Sequence, residues 1–250
     1  MSWHTPDRHH PDGGVVTTTV STTARTTRHR RAGLLAGVSL LAMAVLAGWA
    51  NLAVLEALVV PDDADLTARH LIESGWQFPA ATAAMAAVVV LDIVVAWQLW
   101  VFLAPVDRRL AALAGWLRGI YAVVFAVAIA ELVGAARVVG GLDGPTSVTP
   151  AAGAGVMSRL EDFHAIWDPA LGLFGVHLLL VALLAWRSGF VPRWIGVLVA
   201  VAGLGYLVDG LGQLLGETYT LDLGRFTFVG EVVLLGWLIV NGLRRTSRGA

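Results

Sequence analysis

The sequence predicts an all-α fold, a polytopic bundle of six transmembrane helices with both termini cytoplasmic, and three observations predict it. Hydrophobic residues make up 57% of the 250 and charged residues only 14%, with a mean hydropathy of +0.73. Soluble domains carry about 45–50% and 25%, so a water-soluble fold of this size could not cover itself with so few charges. The apolar residues gather in six runs, each near the roughly 20 residues that a helix needs to cross about 30 Å of hydrocarbon. The third observation is the placement of arginine, the chain's only basic side chain apart from histidine. With the N-terminus inside, the inner flanks hold Arg25, Arg28, Arg30, Arg31, Arg108, Arg109, Arg187, Arg193, Arg244, Arg245 and Arg248, and the outer connections hold only Arg69, Arg159 and Arg225. Cytoplasmic flanks retain positive residues, so this asymmetry sets the orientation.

Residues 1–31 are rich in Thr, His and Arg and nearly lack large apolar side chains after Trp3, so they read as a disordered basic cytoplasmic tail. His4, His9 and His10 are solvated tail residues rather than metal ligands, because no second ligand cluster accompanies them. Residues 32–243 form the six-helix domain, with spans near 33–60, 78–104, 110–139, 165–186, 194–215 and 226–243, and residues 244–250 a short cytoplasmic tail. The runs are too long for buried strands and lack the period-two alternation of barrel strands. The first run is also too long for a signal-peptide core and lies behind a long tail. Trp186 and Trp194 bracket the turn Arg187-Ser188-Gly189-Phe190-Val191-Pro192-Arg193. There Gly189 suits the left-handed residue that ends a helix, and Pro192 suits the start of the next.

Composition excludes several classes of function. The 18 acids against 17 arginines leave a net charge of -1, so no basic field is present to hold nucleic acid. The absence of Cys excludes disulfides, thiolate metal sites and cysteine nucleophiles. No metal-ligand spacing, nucleophile elbow, Walker loop or dinucleotide fingerprint stands out, so neither a metal nor a cofactor is expected; the partners expected are the lipid bilayer and a small-molecule or ion ligand.

Several motifs resemble the family called domain of unknown function 4386. They are Arg187-Ser-Gly-Phe-Val-Pro-Arg-Trp-Ile-Gly-Val-Leu198, Ala202-Gly-Leu-Gly-Tyr-Leu-Val-Asp-Gly-Leu211, and Gly230-Glu231 leading to Trp237-Leu-Ile-Val-Asn-Gly242, with Leu117-Arg118-Gly-Ile-Tyr121 and Phe174-Gly-Val-His-Leu178 before them. The resemblance spans about residues 33–243. Ala182, Gly210 and Asn241 stand where the family often has Gly, Ser and Lys, which are mild changes of packing and interface chemistry. The resemblance implies a multi-pass protein of the bacterial cytoplasmic (inner) membrane, and carries over no catalytic residues.

Candidate functional residues are the ionisable groups inside the apolar runs, since a charge near the bilayer centre costs at least about 2.5–3.5 kcal/mol and demands a partner or water. Asp92 and Arg118 fall at similar depth on consecutive antiparallel helices and are expected to form a structural ion pair. Glu56, Glu131, Asp209 and Glu231 fall in the outer half by the same reckoning, and Tyr206, Asp209 and Gln213 share one helical face. Two readings of these acids stand: an outward-facing, water-filled cavity that holds protonated acids or a cation, or interfacial groups paired locally with Arg137 or water. His177 lies near mid-membrane and reads as a helix-to-helix hydrogen bond, with a proton relay or a metal ligand as the alternatives. The candidate ligand-binding set is thus Asp209, Glu231, Glu131, Glu56, Tyr206, Gln213 and His177. The function expected is binding or transport of a small polar molecule or ion; an enzyme using His177 with a buried carboxylate, and a non-catalytic scaffold, are the alternatives. Glycines at 172, 175, 196, 203, 205, 210 and 212 read as close helix packing.

Overall fold

The computed structural model describes residues 16–216, 219 and 221–246, with side chains from residue 29 to residue 244. Helix α1 (Val16–Gly48) runs on through a π-helical segment, Trp49–Leu55, and a last turn, Glu56–Leu58. Then come α2 (Ala64–Glu73), α3 (Gln77–Leu103), α4 (Arg108–Gly140), α5 (Pro150–Arg187), α6 (Arg193–Gln213) and, after the short turn Gly224–Thr227, α7 (Val229–Thr246). Among the described residues there is no strand, and six helices are long and apolar enough to cross a membrane: His29–Leu58, Gln77–Leu103, Arg108–Gly140, Pro150–Arg187, Arg193–Gln213 and Gly224–Arg244. The protein is an all-α polytopic bundle.

Local chemistry fixes the helix ends. The Asp107 side chain accepts hydrogen bonds from the amides of Arg109 and Leu110 and so starts α4; Asp63 does the same for Leu66 at the head of α2, and Thr149 for Ala152 ahead of Pro150 in α5. Gly189, at φ +69°, ends the α5 hairpin in the left-handed region, and Ser188 Oγ accepts from the Val191 amide.

Each membrane helix packs on its neighbour in sequence, and α7 closes back on α1, so the six form a ring. The tightest seam is α5 against α6. A Cβ on Gly175 would lie 2.6 Å from the Gly203 carbonyl oxygen, and one on Gly203 would lie 2.9 Å from the Gly175 carbonyl oxygen, so two backbones meet where only glycine fits. Gly196, Gly203 and Gly210 recur every seventh residue along this face of α6.

Three features depart from the sequence expectation. Helix α1 extends back to Val16, so residues 16–31 are helix rather than a disordered tail; once the apolar span has nucleated the helix, each added residue needs only propagation. Residues 1–15, with His4, His9 and His10, and residues 247–250 lie outside the described part. Helix α5 begins at Pro150, fifteen residues before the expected span, and the short amphipathic α2 packs against this extension. Neither was expected because both lie beyond the hydrocarbon-length apolar window.

Candidate functional site

All six membrane helices turn one face toward a shared cavity of about 620 Å³. Helical spacing selects the lining. Leu40, Met43, Ala44, Ala47 and Asn51 come from α1 and the π segment, Val88 and Asp92 from α3, and Arg118 and Tyr121 from α4. Trp167, Leu171 and Phe174 follow on α5, Tyr206 and Asp209 on α6, and Phe228, Glu231, Val232 and Leu235 at the start of α7. The π segment sits where the first span borders the cavity; its wide turn shows in the Glu56 amide donating to the Asn51 carbonyl, five residues back. The cavity lies toward the distal end of the bundle, where the first span ends and α7 begins.

A buried network forms the floor. Arg118 Nη2 lies 2.7 Å from Asp92 Oδ1, with both side chains 1% exposed. The approach is close but off the N–H direction, and neither Asp92 oxygen accepts a well-directed hydrogen bond among the described residues. Arg118 Nη1 lies 3.3 Å from His177 Nε2, and His177 Nδ1 lies 2.8 Å from the Ala114 carbonyl oxygen. A carbonyl can only accept, so Nδ1 carries the proton and Nε2 is the acceptor that holds the guanidinium. His177 is therefore neutral in this arrangement and outside the cavity lining, a helix-to-helix tie from α5 to α4. The guanidinium also lies over the Phe174 ring, 5.0 Å from its centroid. Trp167 Nε1 donates to the Tyr121 hydroxyl at 2.9 Å. The Tyr206 hydroxyl and the Glu231 carboxylate interact across the α6–α7 side of the floor, and Glu231 is within electrostatic reach of Asp92 and Arg118.

The mouth is built from the connection between α6 and α7. Asp209 Oδ1 accepts from the Leu223 amide at 3.0 Å and from the Tyr219 hydroxyl, and Oδ2 accepts from the Gly224 amide. Both oxygens of this carboxylate thus hold the loop down onto α6. Desolvation, together with the bond to the Asp209 carboxylate, pushes the Tyr219 hydroxyl up to about 12. Arg225 Nη2 reaches Glu56 Oε2 at 3.3 Å, an exposed bridge from the α7 approach to the end of the first span. Asn51 and Glu56 also border a second cavity of about 460 Å³ against α5, reaching Phe163 and His164.

The candidate residues thus divide. Glu231, Tyr206, Asp209 and Glu56 line the central cavity together with Asp92 and Arg118. Glu131 faces away and pairs with Arg159 at 2.5 Å, not with Arg137. Gln213 is exposed at the end of α6 and does not line the cavity. Depth estimates had set the Asp92–Arg118 pair apart from the outer acids. Measured from the proximal helix ends at 1.5 Å per residue, however, Arg118 lies at about 15 Å, Asp92 at about 17 Å and Glu231 at about 20 Å, close enough for one cavity to join them. Sequence reasoning passed over Tyr121, Trp167 and Phe174; the spacing of 121 from Arg118 on one helical face was the signal available for the first. Among the described residues, no group of three or more His, Asp or Glu side chains is placed to hold a metal ion.

The match to a known family covers this whole arrangement. Residues 35–242 fit the family described as Domain of unknown function (DUF4386), a stretch that contains every residue of the floor and the mouth. An uncharacterized protein of Archaeoglobus fulgidus is 30% identical over 155 residues, 62% of this chain and 79% of its own length. No solved structure matches the chain. With the match running from the first span to the last, the chain belongs to the DUF4386 family.

Proposed function

We propose that this protein binds a small polar molecule in the central cavity, with the cavity opening outward and both chain ends on the cytoplasmic face of a bacterial cytoplasmic membrane. The orientation rests on the arginines, eleven of which flank the proximal helix ends against three in the distal connections. The binding role rests on one observation: a space of about 620 Å³ inside a membrane bundle ends on the buried Asp92–Arg118 pair and the Tyr206–Glu231 contact. Ion pairs that only fix helix packing sit between closely fitted helices, whereas this one borders room for a drug-sized molecule. His177, with both nitrogens engaged, orients Arg118 and is not placed to transfer a proton to anything in the cavity.

The test uses the cysteine-free background of the native chain. Single cysteines at Ala47 and Met43, which line the cavity, are expected to react with a membrane-impermeant cationic methanethiosulfonate added outside sealed cells. A cysteine at Leu113, 49% exposed on the bundle's outer surface, is expected to stay unreacted because a thiol in hydrocarbon does not ionise. Protection of both cavity positions overturns the proposal; reaction only in inverted vesicles overturns the orientation.

A further inference from the structure

The charges of the cavity floor select the class of ligand, an inference that rests on the binding reading above and deepens it. Two carboxylates, Asp92 and Glu231, share the floor with one guanidinium, Arg118. The guanidinium is already committed: Nη2 to Asp92, Nη1 to the neutral His177, and its face to Phe174. Nη2 also lies 3.7 Å from Met43 Sδ, and the hydrogens left over, on Nε and one on Nη1, offer hydrogen bonds but no further charge. The acids are not committed to the same degree. Asp92 is 1% exposed, yet neither oxygen accepts a well-directed hydrogen bond among the described residues, although the residue lines the cavity. Glu231 has Tyr206 as its neighbour, a neutral partner. Counted with both acids ionised, the floor carries one negative charge in excess, a state that a buried site reaches only with a proton or a cation to compensate it.

Asp209 and Asp222 belong to the mouth rather than the floor, and loop amides and Tyr219 already occupy both Asp209 oxygens. At the mouth, Arg225 already answers Glu56. Above the floor the walls are apolar, with Met43, Val88, Leu171, Val232 and Leu235 toward the cavity.

We infer that the cavity takes an organic monocation: a primary or secondary ammonium group seated between Asp92 and Glu231, on a compact apolar body that lies against these walls. A carboxylate or phosphate ligand would deepen the negative excess, and a neutral alcohol would leave it in place. An ammonium group supplies two or three donors, to Asp92 oxygens that lack a well-directed one and to Glu231 beside Tyr206, and its charge offsets the second acid.

Three probes of one shape separate these cases: 2-phenylethylamine, 2-phenylethanol and 3-phenylpropionate. Each is added at millimolar concentration to the Ala47→Cys protein in nanodiscs, and the rate of modification by a small uncharged methanethiosulfonate is read. The amine is expected to slow labelling in a saturable way while the alcohol and the acid leave the rate unchanged. Glu231→Gln is expected to weaken amine protection by about tenfold or more, the loss that follows when one partner of a buried charge contact is removed. Asp92→Asn bears on the same point but strips Arg118 of its counter-charge; Glu231→Gln, near-isosteric and beside Tyr206, is the variant that keeps the fold. Equal protection by the alcohol or the acid overturns the monocation while the cavity stands. A reactive cysteine that none of the three probes protects overturns it too, as does amine protection unchanged in Glu231→Gln. A cysteine unreactive without any probe removes the binding reading itself.

Discussion

Arg118→Met isolates the floor's main electrostatic contact, because methionine keeps most of the stem while removing the charge. The change leaves Asp92 buried at 1% exposure without its counter-charge and deprives His177 Nε2 of its donor. Removing one partner of a buried pair costs about 3–5 kcal/mol, and an orphaned acceptor about 1–3 kcal/mol. The two do not simply add, since the cavity beside Asp92 admits water, and the expected loss is about 3–4 kcal/mol. Asp92→Leu alone is expected to cost a similar amount by stranding the guanidinium. The double variant Arg118→Met/Asp92→Leu is expected to lie within about 1–2 kcal/mol of the native protein, because an apolar replacement of a buried pair is often close to neutral. Reversible unfolding in mixed micelles by titration with dodecyl sulfate, followed by tryptophan fluorescence, supplies the four corners of the cycle. A single variant that loses less than about 1 kcal/mol, or two losses that add in the double variant, would refute the claim that these groups form one coupled unit.

Two other expectations concern the seam and the loop. Gly203→Val places branched carbon where a Cβ alone would stand 2.9 Å from the Gly175 carbonyl oxygen and 3.0 Å from the Leu179 nitrogen, so α5 and α6 must part. The expected destabilisation is about 1–3 kcal/mol in the same unfolding assay, whereas Gly236→Ala, with open space around it, is expected to be neutral or to stabilise by up to about 1 kcal/mol. Equal behaviour of the two variants would remove the argument for backbone contact. Tyr219 can be titrated alone in Tyr121→Phe/Tyr206→Phe, since the chain has only three tyrosines. Its hydroxyl is raised to about 12 in the folded chain from an ordinary value near 10, so the bond to Asp209 stabilises fully below about pH 10 and is lost as pH rises through about 12. Tyrosinate absorbance is expected to rise with a midpoint near 12, moving back toward 10 with Asp209→Asn; a midpoint near 10 in the parent would show that the loop bond is absent.

The spans were legible because length and hydropathy are local properties, and the close glycine contacts because small residues recurred on one helical face. The floor was legible in pieces: Asp92 and Arg118 could be placed at one depth on consecutive helices by counting residues. What counting could not give was which helices enclose the pair, since ring closure of α7 onto α1 brings Glu231 beside residues more than 100 positions earlier. Nor could it give the partners of Asp209. From sequence this is a carboxylate buried in an apolar helix; in the fold it is the acceptor for the Leu223 and Gly224 amides, supplied by a loop with no periodic signal of its own. Glu131 was misread for a related reason, because its partner Arg159 lies on the part of α5 that precedes the apolar window.

The cavity is one-sided because the seam between the first and last spans is held differently at its two ends. Near the proximal end, a Cβ on Gly37 would lie 2.9 Å from Ile239 Cγ1, and one on Gly242 would lie 2.8 Å from Leu34 Cβ, so the helices touch through glycine. The His29 ring stacks on Phe102 at 4.6 Å beside this contact, with Phe190 edge-on to both. Toward the distal end no such glycine contact joins the two helices among the described residues; the Glu56–Arg225 bridge spans them instead, with its side chains 45% and 57% exposed. Exposed pairs of this kind contribute at most about 1 kcal/mol. The first and last spans are also the least enclosed, 22% and 28% buried over their most apolar windows, against 56% and 50% for α5 and α6. The glycine-packed α5–α6 pair therefore serves as the fixed wall that carries Phe174 and Tyr206. Across the distal half of the seam between the first and last spans, the exposed Glu56–Arg225 pair adds at most about 1 kcal/mol against parting of the two helices.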